Sequence, residues 1–452
     1  VIPIGPAGEN RVRFSGLISE SRAAGRGGAG AVMGSKGLKA IAVRGTGSVH
    51  VANTGEYTRM LEDALHAIKT HPFFNERICY GTTATLDMLY KIGALPIKNY
   101  SRGIFDGIAG LMSETVKEKI FVHDESCFGC PLPCGKTGII NDGPFKGTVI
   151  QGPQFETIAM LGANCGCNDI ANVTRANFLC NEYGLDTIST GNVIAFAIEC
   201  YQHGFITKQD TDGLTLRFGD GELILALIDK IANRQGFGDL LAEGTMRAAQ
   251  KIGQGSEKFA MHSKGQEFAS FDPRGVVGMG LLYATANSGA NHSYGPTFRA
   301  EVFDLMDPLT HKSKGKLCRQ AQNSTCLLDS LVMCSFSRYG LNDDSRFEFV
   351  HATTGLRFTA PEQELMADRI YTLERLLNQR EGFDAKNDSL PWRSTDKPMP
   401  DGQAAGNTVP LAQMLKDYYR ERGWDENTGR PTDKILKRTG LLDLANAFGE
   451  TI

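Results

Sequence analysis

Cys127-Phe128-Gly129-Cys130-Pro131-Leu132-Pro133-Cys134-Gly135 sets three thiols at spacings of three and four residues, with proline and glycine between them. Two prolines in so short a run remove amide donors that a regular helix would need. The stretch therefore suits a looped backbone that turns several sulfurs onto one centre. A [4Fe–4S] cluster takes four thiolates, so this run would supply three and a remote cysteine the fourth. Zinc is the rival, and would want a second close pair or a Cys/His partner at finger spacing. The other close pair, Cys165-Gly166-Cys167, is spaced more tightly than structural zinc sites use. Three unrelated thiols are the bland alternative, and the local spacing favours the cluster over both.

The rest of the chain bounds the answer. Its 452 residues imply two or three domains, and a hydrophobic content of 41% with 22% charged residues is that of an ordinary soluble protein. A net charge of −3 gives no general attraction to nucleic acid or to an anionic membrane. No apolar run approaches the ~20 residues a membrane span needs. Eleven cysteines are sparse for the length, which fits a reduced, cytoplasmic compartment better than a disulfide framework. The chain opens at Val1 inside a strand-like run, and the expectation is that a preceding portion is missing.

Residues 12–18 and 38–44 alternate as half-buried strands do, around a loop at 22–30 that holds Arg22, Arg26 and four glycines. Such a loop can gather amides and guanidinium groups around phosphates, although its spacing matches neither a Walker nor a Rossmann motif. From residue 55 the pattern turns helical: 56–70, 83–92, 169–183 capped by Asp169 and closed by Gly184, an apolar helix at 187–203, then 222–235 and 238–251. A glycine-rich break at 272–295 precedes helices at 313–335, 344–353, 361–379, 409–421 and 432–437.

Acids and amides stand near helix ends at Asn181, Asp186, Asp329 and Asn291-His292, where they could recognise the ring nitrogens of a pterin or purine; taken singly, each reads better as a cap. Cys334, just beyond the acid-led run that starts at Asp329, is the strongest candidate for the fourth sulfur, because Cys318 and Cys326 lie earlier on the same helical stretch.

Taken in order, the motifs resemble a known family. They are Ile4-Gly5-Pro6-Ala7-Gly8-Glu9-Asn10, the loop at 22–28, Ala31-Val32-Met33-Gly34-Ser35-Lys36, the cysteine run, and Gly152-Pro153 with Glu156. Gly184-Leu185-Asp186-Thr187-Ile188-Ser189-Thr190, Asp272-Pro273-Arg274-Gly275, and Asp329-Ser330 with Cys334 follow. Together they are similar to the tungstopterin-dependent aldehyde:ferredoxin oxidoreductases over essentially the whole chain. The resemblance implies a mainly α fold: two α-rich domains at 51–258 and 259–452, behind a β-containing remnant at 1–50 of a pterin-binding base.

It further implies that Cys127, Cys130, Cys134 and Cys334 hold the [4Fe–4S] cluster. Arg22, Ala23 and Gly25 would face the phosphates of a tungsten or molybdenum bis-pyranopterin bridged by Mg2+. Asn181, Asp186 and Asp329 would contact the pterins, with Asn181 standing where the family usually has Asp. Glu156 and His292 would be the titratable pair beside the metal. The implied reaction turns a small aldehyde into a carboxylic acid and passes electrons to ferredoxin or an iron–sulfur electron-transfer subunit, in a homo- or hetero-oligomer. Two alternatives stand beside it: the catalytic subunit of a tungsten-containing benzoyl-coenzyme A reductase, which a metal-ligating Cys165 would favour, and a cluster-only electron-transfer protein or fragment.

Overall fold

The computed structural model describes residues 1–19, 22–303 and 306–449. At its start, Ile2–Pro3 pairs antiparallel with Ala40–Ile41, and Leu17–Ser19 with Arg22–Ala24. These pairings are much shorter than the alternation at 12–18 and 38–44 suggests. Residues 12–15 turn instead, and Arg13 donates its amide to the Ala242 carbonyl (3.0 Å), so tertiary contact outbids the strand pattern there. Gly28, with φ +74°, ends the loop and starts the helix Ala29–Ser35; a Cβ on it would lie 2.3 Å from the Arg13 carbonyl oxygen, so only glycine fits.

The cysteine run sits between strands that its own pattern does not announce. Phe121–Glu125, Gly135–Ile139 and Val149–Gln151 form a three-stranded antiparallel sheet in that order, and the loop holding Cys127, Cys130 and Cys134 joins the first two strands. Glycines at 135 and 138 weaken the alternation, which is why 121–140 reads as loop. Gly138 is there for space, since a Cβ would stand 2.5 Å from the Gly152 carbonyl oxygen.

Most of the remainder is helical. Asp169 accepts from the Ala171 amide at 3.0 Å and starts Ile170–Tyr183, which ends on Gly184 at φ +76°. Asp186 then caps Thr187–Gln202, where thirteen of sixteen residues are buried, as an apolar surface on every side requires. This helix lies against a turn of Phe155–Thr157 that continues as a π-helix, Ile158–Gly162; Gly191 allows the contact, with the Met160 carbonyl 2.5 Å from where its Cβ would be. The expected helix at 238–251 is two, Phe237–Leu241 and Thr245–Ile252, broken at Gly244.

Within the segment read as a glycine-rich break, Val277–Thr285 is a fully buried helix. Lys314–Ser330 packs between Ala360–Arg380 and Leu411–Arg422, and the buried Arg422 donates to Gln322 and Asn323 at 2.6 Å each. It stops at Ser330 rather than running on to 335: Val332 turns left-handed at φ +55°, and Cys334 caps the 3₁₀ turn Ser335–Tyr339.

One continuous apolar core runs from Ala7 to Ile435, across all three expected domains, with two small satellites near the C-terminal helices. No helix among the described residues is long and apolar enough to cross a membrane.

The Asp-Pro-Arg-Gly motif is a buried brace. Arg274 meets the Asp272 carboxylate at 2.6 and 3.0 Å and reaches the Tyr100 carbonyl at 2.5 Å, and both side chains are only 1% exposed. Arg274→Met leaves that carboxylate buried without its cation and should cost about 3–5 kcal/mol, read as a lower Tm. Pairing it with Asp272→Asn should recover part of the loss, because the second change removes the orphaned charge.

Candidate active site

Two groups of expected site residues form. In the first, Cys134 feels the fields of Cys127, Cys130 and Cys334 together, so the remote thiol does come to the loop. Burial pushes the Cys134 thiol up, and the nearby Arg22 guanidinium opposes that. Arg22 Nη2 stands 3.8 Å from Cys127 Sγ, which brings the hairpin Leu17–Ser19/Arg22–Ala24 onto the cysteine loop. All four cysteines are free thiols, three of them exposed. Among the described residues no set of three His, Cys, Asp or Glu side chains closes around a single ion. The rivals are placed elsewhere. Cys318 is buried against Thr285, and Cys326 lines a separate small cavity with Asp329, Tyr294 and Glu374.

The second group centres on Glu156, in the first turn of Phe155–Thr157. Its Oε2 accepts from the Ser270 amide (3.0 Å) and hydroxyl (2.6 Å). Its Oε1 faces His292 Nδ1 at 3.4 Å without hydrogen-bond alignment, so both atoms are buried and lack a hydrogen-bond partner. Buried polar atoms of this kind demand an occupant or a shared proton. The imidazole stacks on Phe271, 6.0 Å between centroids, and keeps about 25% of its side-chain surface open. Burial pushes its pKa below the usual 6.5, and the Glu156 charge only partly offsets this.

Arg26 ties the group together. It pairs with Asp186 at 3.2 Å and donates to the carbonyls of Ala290 (2.8 Å) and Glu267 (2.6 Å). The loop arginine that looked free for phosphate is thus committed to protein. Asp186 also accepts from the amides of Ile188 (3.0 Å) and Ser189 (3.3 Å), so its reading as a cap holds whatever else it contacts. Gly25 lies beside it, and a Cβ there would come within 4.0 Å of Asp186 Oδ1. Ala23, on the same strand as Arg22, is exposed, while the carbonyl of Asn181 receives the Gly184 amide at 3.2 Å. Asp329 stands exposed in the last turn of Lys314–Ser330, where the helix dipole disfavours an acid, and burial by its neighbours raises its pKa. Cys165 is wholly buried, its thiol 3.3 Å from the carbonyls of Met160 and Gly191.

Glu156 and His292 open on a cavity of about 450 Å³ that also reaches Ser335, next to Cys334. Sequence reasoning gave Arg26 a phosphate role instead of this one, and it missed Ser270 and Phe271 and with them the aromatic lining of this space. The only local signal was the apolar run Phe268-Ala269-Ser270-Phe271 ahead of Asp272.

Comparison with known proteins decides the family. The model for aldehyde ferredoxin oxidoreductase domains 2 and 3 matches residues 59–441, and that for its N-terminal domain matches 1–45. The chain belongs to the aldehyde ferredoxin oxidoreductase family. The tungsten-containing aldehyde ferredoxin oxidoreductase of Pyrococcus abyssi is 39% identical over 451 residues, covering 98% of this chain and 73% of the relative. That of Thermococcus kodakarensis is 37% identical, covering 96% and 72%. An aliphatic sulfonate oxidoreductase, WOR-like subunit, of Pyrococcus furiosus is 32% identical over 98% of this chain and 70% of its own. Among solved structures, the BamBC active-site complex of benzoyl-coenzyme A reductase superposes with a TM-score of 0.79 at 25% identity, covering all of this chain and 74% of that one. The family is one of oxidoreductases.

Cys334→Ser should lower bound iron well below the about four atoms per chain expected of a cubane. Cys318→Ala should leave it, as elemental analysis of the purified proteins would read.

Proposed function

We propose that this chain oxidises a small aldehyde to its carboxylic acid and delivers the electrons singly, through a [4Fe–4S] cluster on Cys127, Cys130, Cys134 and Cys334, to ferredoxin or an iron–sulfur partner subunit in the cytoplasm. The observation that carries this reading is the Glu156–His292 pair, unpartnered at the facing atoms Oε1 and Nδ1 and open to a cavity that extends to Ser335, next to Cys334, in a chain of this family. The balance is RCHO + H2O → RCOOH + 2 H+ + 2 e−.

A tungsten or molybdenum bis-pyranopterin, when bound, supplies the two-electron and oxygen chemistry that side chains lack. Arg22, Ala23 and Gly25 would face its phosphates and the Mg2+ between them, with Asn181, Asp186 and Asp329 toward the pterins. Asp329 fits such a contact because it is exposed at a helix end that does not need an acid.

The chain's own task is the protons. Ser270 holds Glu156 Oε2, which leaves Oε1 as the atom that can take a proton from water adding to the aldehyde. Burial pushes the His292 pKa below the usual 6.5, which favours the neutral imidazole at neutral pH as a second proton-accepting group, and Phe271 stacks against its ring. The reductase reading leaned on Cys165 as a metal ligand, and that thiol is instead engaged with two carbonyls inside the core.

Glu156→Gln and His292→Asn should each lower kcat by about 10²–10⁴-fold while tungsten and iron contents stay at wild-type values. The pH profile gives a separate check. The deprotonated imidazole is the working form, so the rate should rise with pH through a value below 6.5 and be flat by neutrality, and His292→Asn should lose that limb.

A further inference from the structure

The same cavity holds a charge that aldehyde oxidation does not need. Arg299, on the short helix Phe298–Val302, lines it together with Arg77 and Arg338. Arg77 is engaged: its Nη1 donates to the Gly81 carbonyl (2.8 Å) and its Nε to the Tyr339 hydroxyl (3.3 Å). Arg338 donates to Thr325 at 3.0 Å. Arg299 donates no hydrogen bond and meets no carboxylate within ion-pair distance among the described residues. Its protein contact is the face of Tyr339, 6.0 Å from the guanidinium carbon to the centroid. Burial pushes its pKa down, and Arg338 and Arg77 push the same way, against the opposing fields of Tyr339 and Cys334. The carboxylates on the cavity wall do not answer it: Glu156 is held by Ser270 opposite His292, and Glu76 is exposed at the rim. A guanidinium so placed is a costly group unless something anionic completes it.

Aromatic surface connects this charge to the reacting pair. His292 stacks on Phe271 at 6.0 Å, Phe271 meets Phe298 at 4.8 Å, and Phe298 precedes Arg299 on the helix. Phe303 and Phe73 extend the wall, 4.8 Å apart. A flat ring suits such a wall, and a carboxylate suits the fork of Arg299.

We infer that the substrate is an aromatic aldehyde carrying an anionic group remote from the aldehyde carbon, its ring against Phe271 and Phe298 and its anion on Arg299. This rests on the aldehyde-oxidation reading above. The test uses the metal-loaded enzyme and dye reduction with two probes, benzaldehyde and 4-formylbenzoate. In the wild type, kcat/KM should favour 4-formylbenzoate by at least tenfold, and Arg299→Met should reduce that ratio by about 10–100-fold, the worth of a charged hydrogen bond. Arg299→Lys should keep part of the preference, since it keeps the charge and loses the fork.

A wild-type ratio of one or less overturns the inference and leaves aldehyde oxidation standing, and it does so even if no variant folds. A ratio unchanged in Arg299→Met overturns it too. So does an equal fall for both probes with loss of bound tungsten, which would assign Arg299 to the cofactor. Oxidation of neither probe while acetaldehyde is oxidised overturns this inference alone, and oxidation of none of the three by metal-loaded enzyme overturns both readings.

Discussion

The Glu156–His292 half of the candidate site hangs on one guanidinium. Arg26 spans the Asp186 carboxylate, the Ala290 carbonyl and the Glu267 carbonyl, so three distant stretches are set by one planar fork. Asp186 starts the central helix, Ala290 leads into His292, and Glu267 leads into Ser270, which holds Glu156. A lysine could satisfy one of these partners but not all three in a fixed plane. Gly28 belongs to the same arrangement, because the backbone there passes too close to the Arg13 carbonyl for a side chain.

A second layer of buried polar contacts supports the first. Tyr100 donates its hydroxyl to the Ala269 carbonyl (2.8 Å), beside Ser270, while its own carbonyl receives Arg274. Tyr100 and the two residues before it are all left-handed, at φ +46°, +56° and +59°, a conformation that costs side-chain-bearing residues and persists only where surroundings compel it. The amides of Lys98 and Asn99 bind the carbonyls of Ala163 and Asn164 (3.1 and 3.0 Å), which follow the π-helical turn after Glu156. Glu156 is therefore braced both from its own helix and from the loop that carries Ser270. A proton-transfer carboxylate needs this, because small displacements from productive geometry cost large factors in rate.

The electrostatics of the cavity have a consistent sense. Burial pushes the pKa of both His292 and Arg299 down, and no carboxylate among the described residues pairs with Arg299. The reacting end can take up protons, while the far wall is poised to meet negative charge. Other buried cations among the described residues are held by carboxylates, apart from Arg77 and Arg338, which donate to carbonyl and hydroxyl oxygens. Lys314 pairs with Glu301 at 2.5 Å, Arg393 with Glu199 at 2.6 Å and Arg375 with Asp388 at 2.8 Å. Against that background, an unpaired arginine in a cavity is a recognition feature rather than a packing accident.

The sequence alone determined the features that are local or counted along the chain. Asp169, Gly184 and Asp186 announced two helices because caps act within a turn, and the apolar stretch after Asp186 announced its own burial. The cysteine run and the order of the motifs disclosed the family, since chemistry at that spacing is rare. What only tertiary structure decided was how distant segments meet. The strands around the cysteines were hidden because glycine makes room for a neighbour instead of contributing to alternation. The left-handed turn at Val332 cut a helix that periodicity would have continued. Whether Arg26 holds phosphate or protein, and whether Arg299 has a partner, depends on side chains hundreds of residues apart. Burial and distance set the worth of a charge, and neither can be read from its neighbours in sequence.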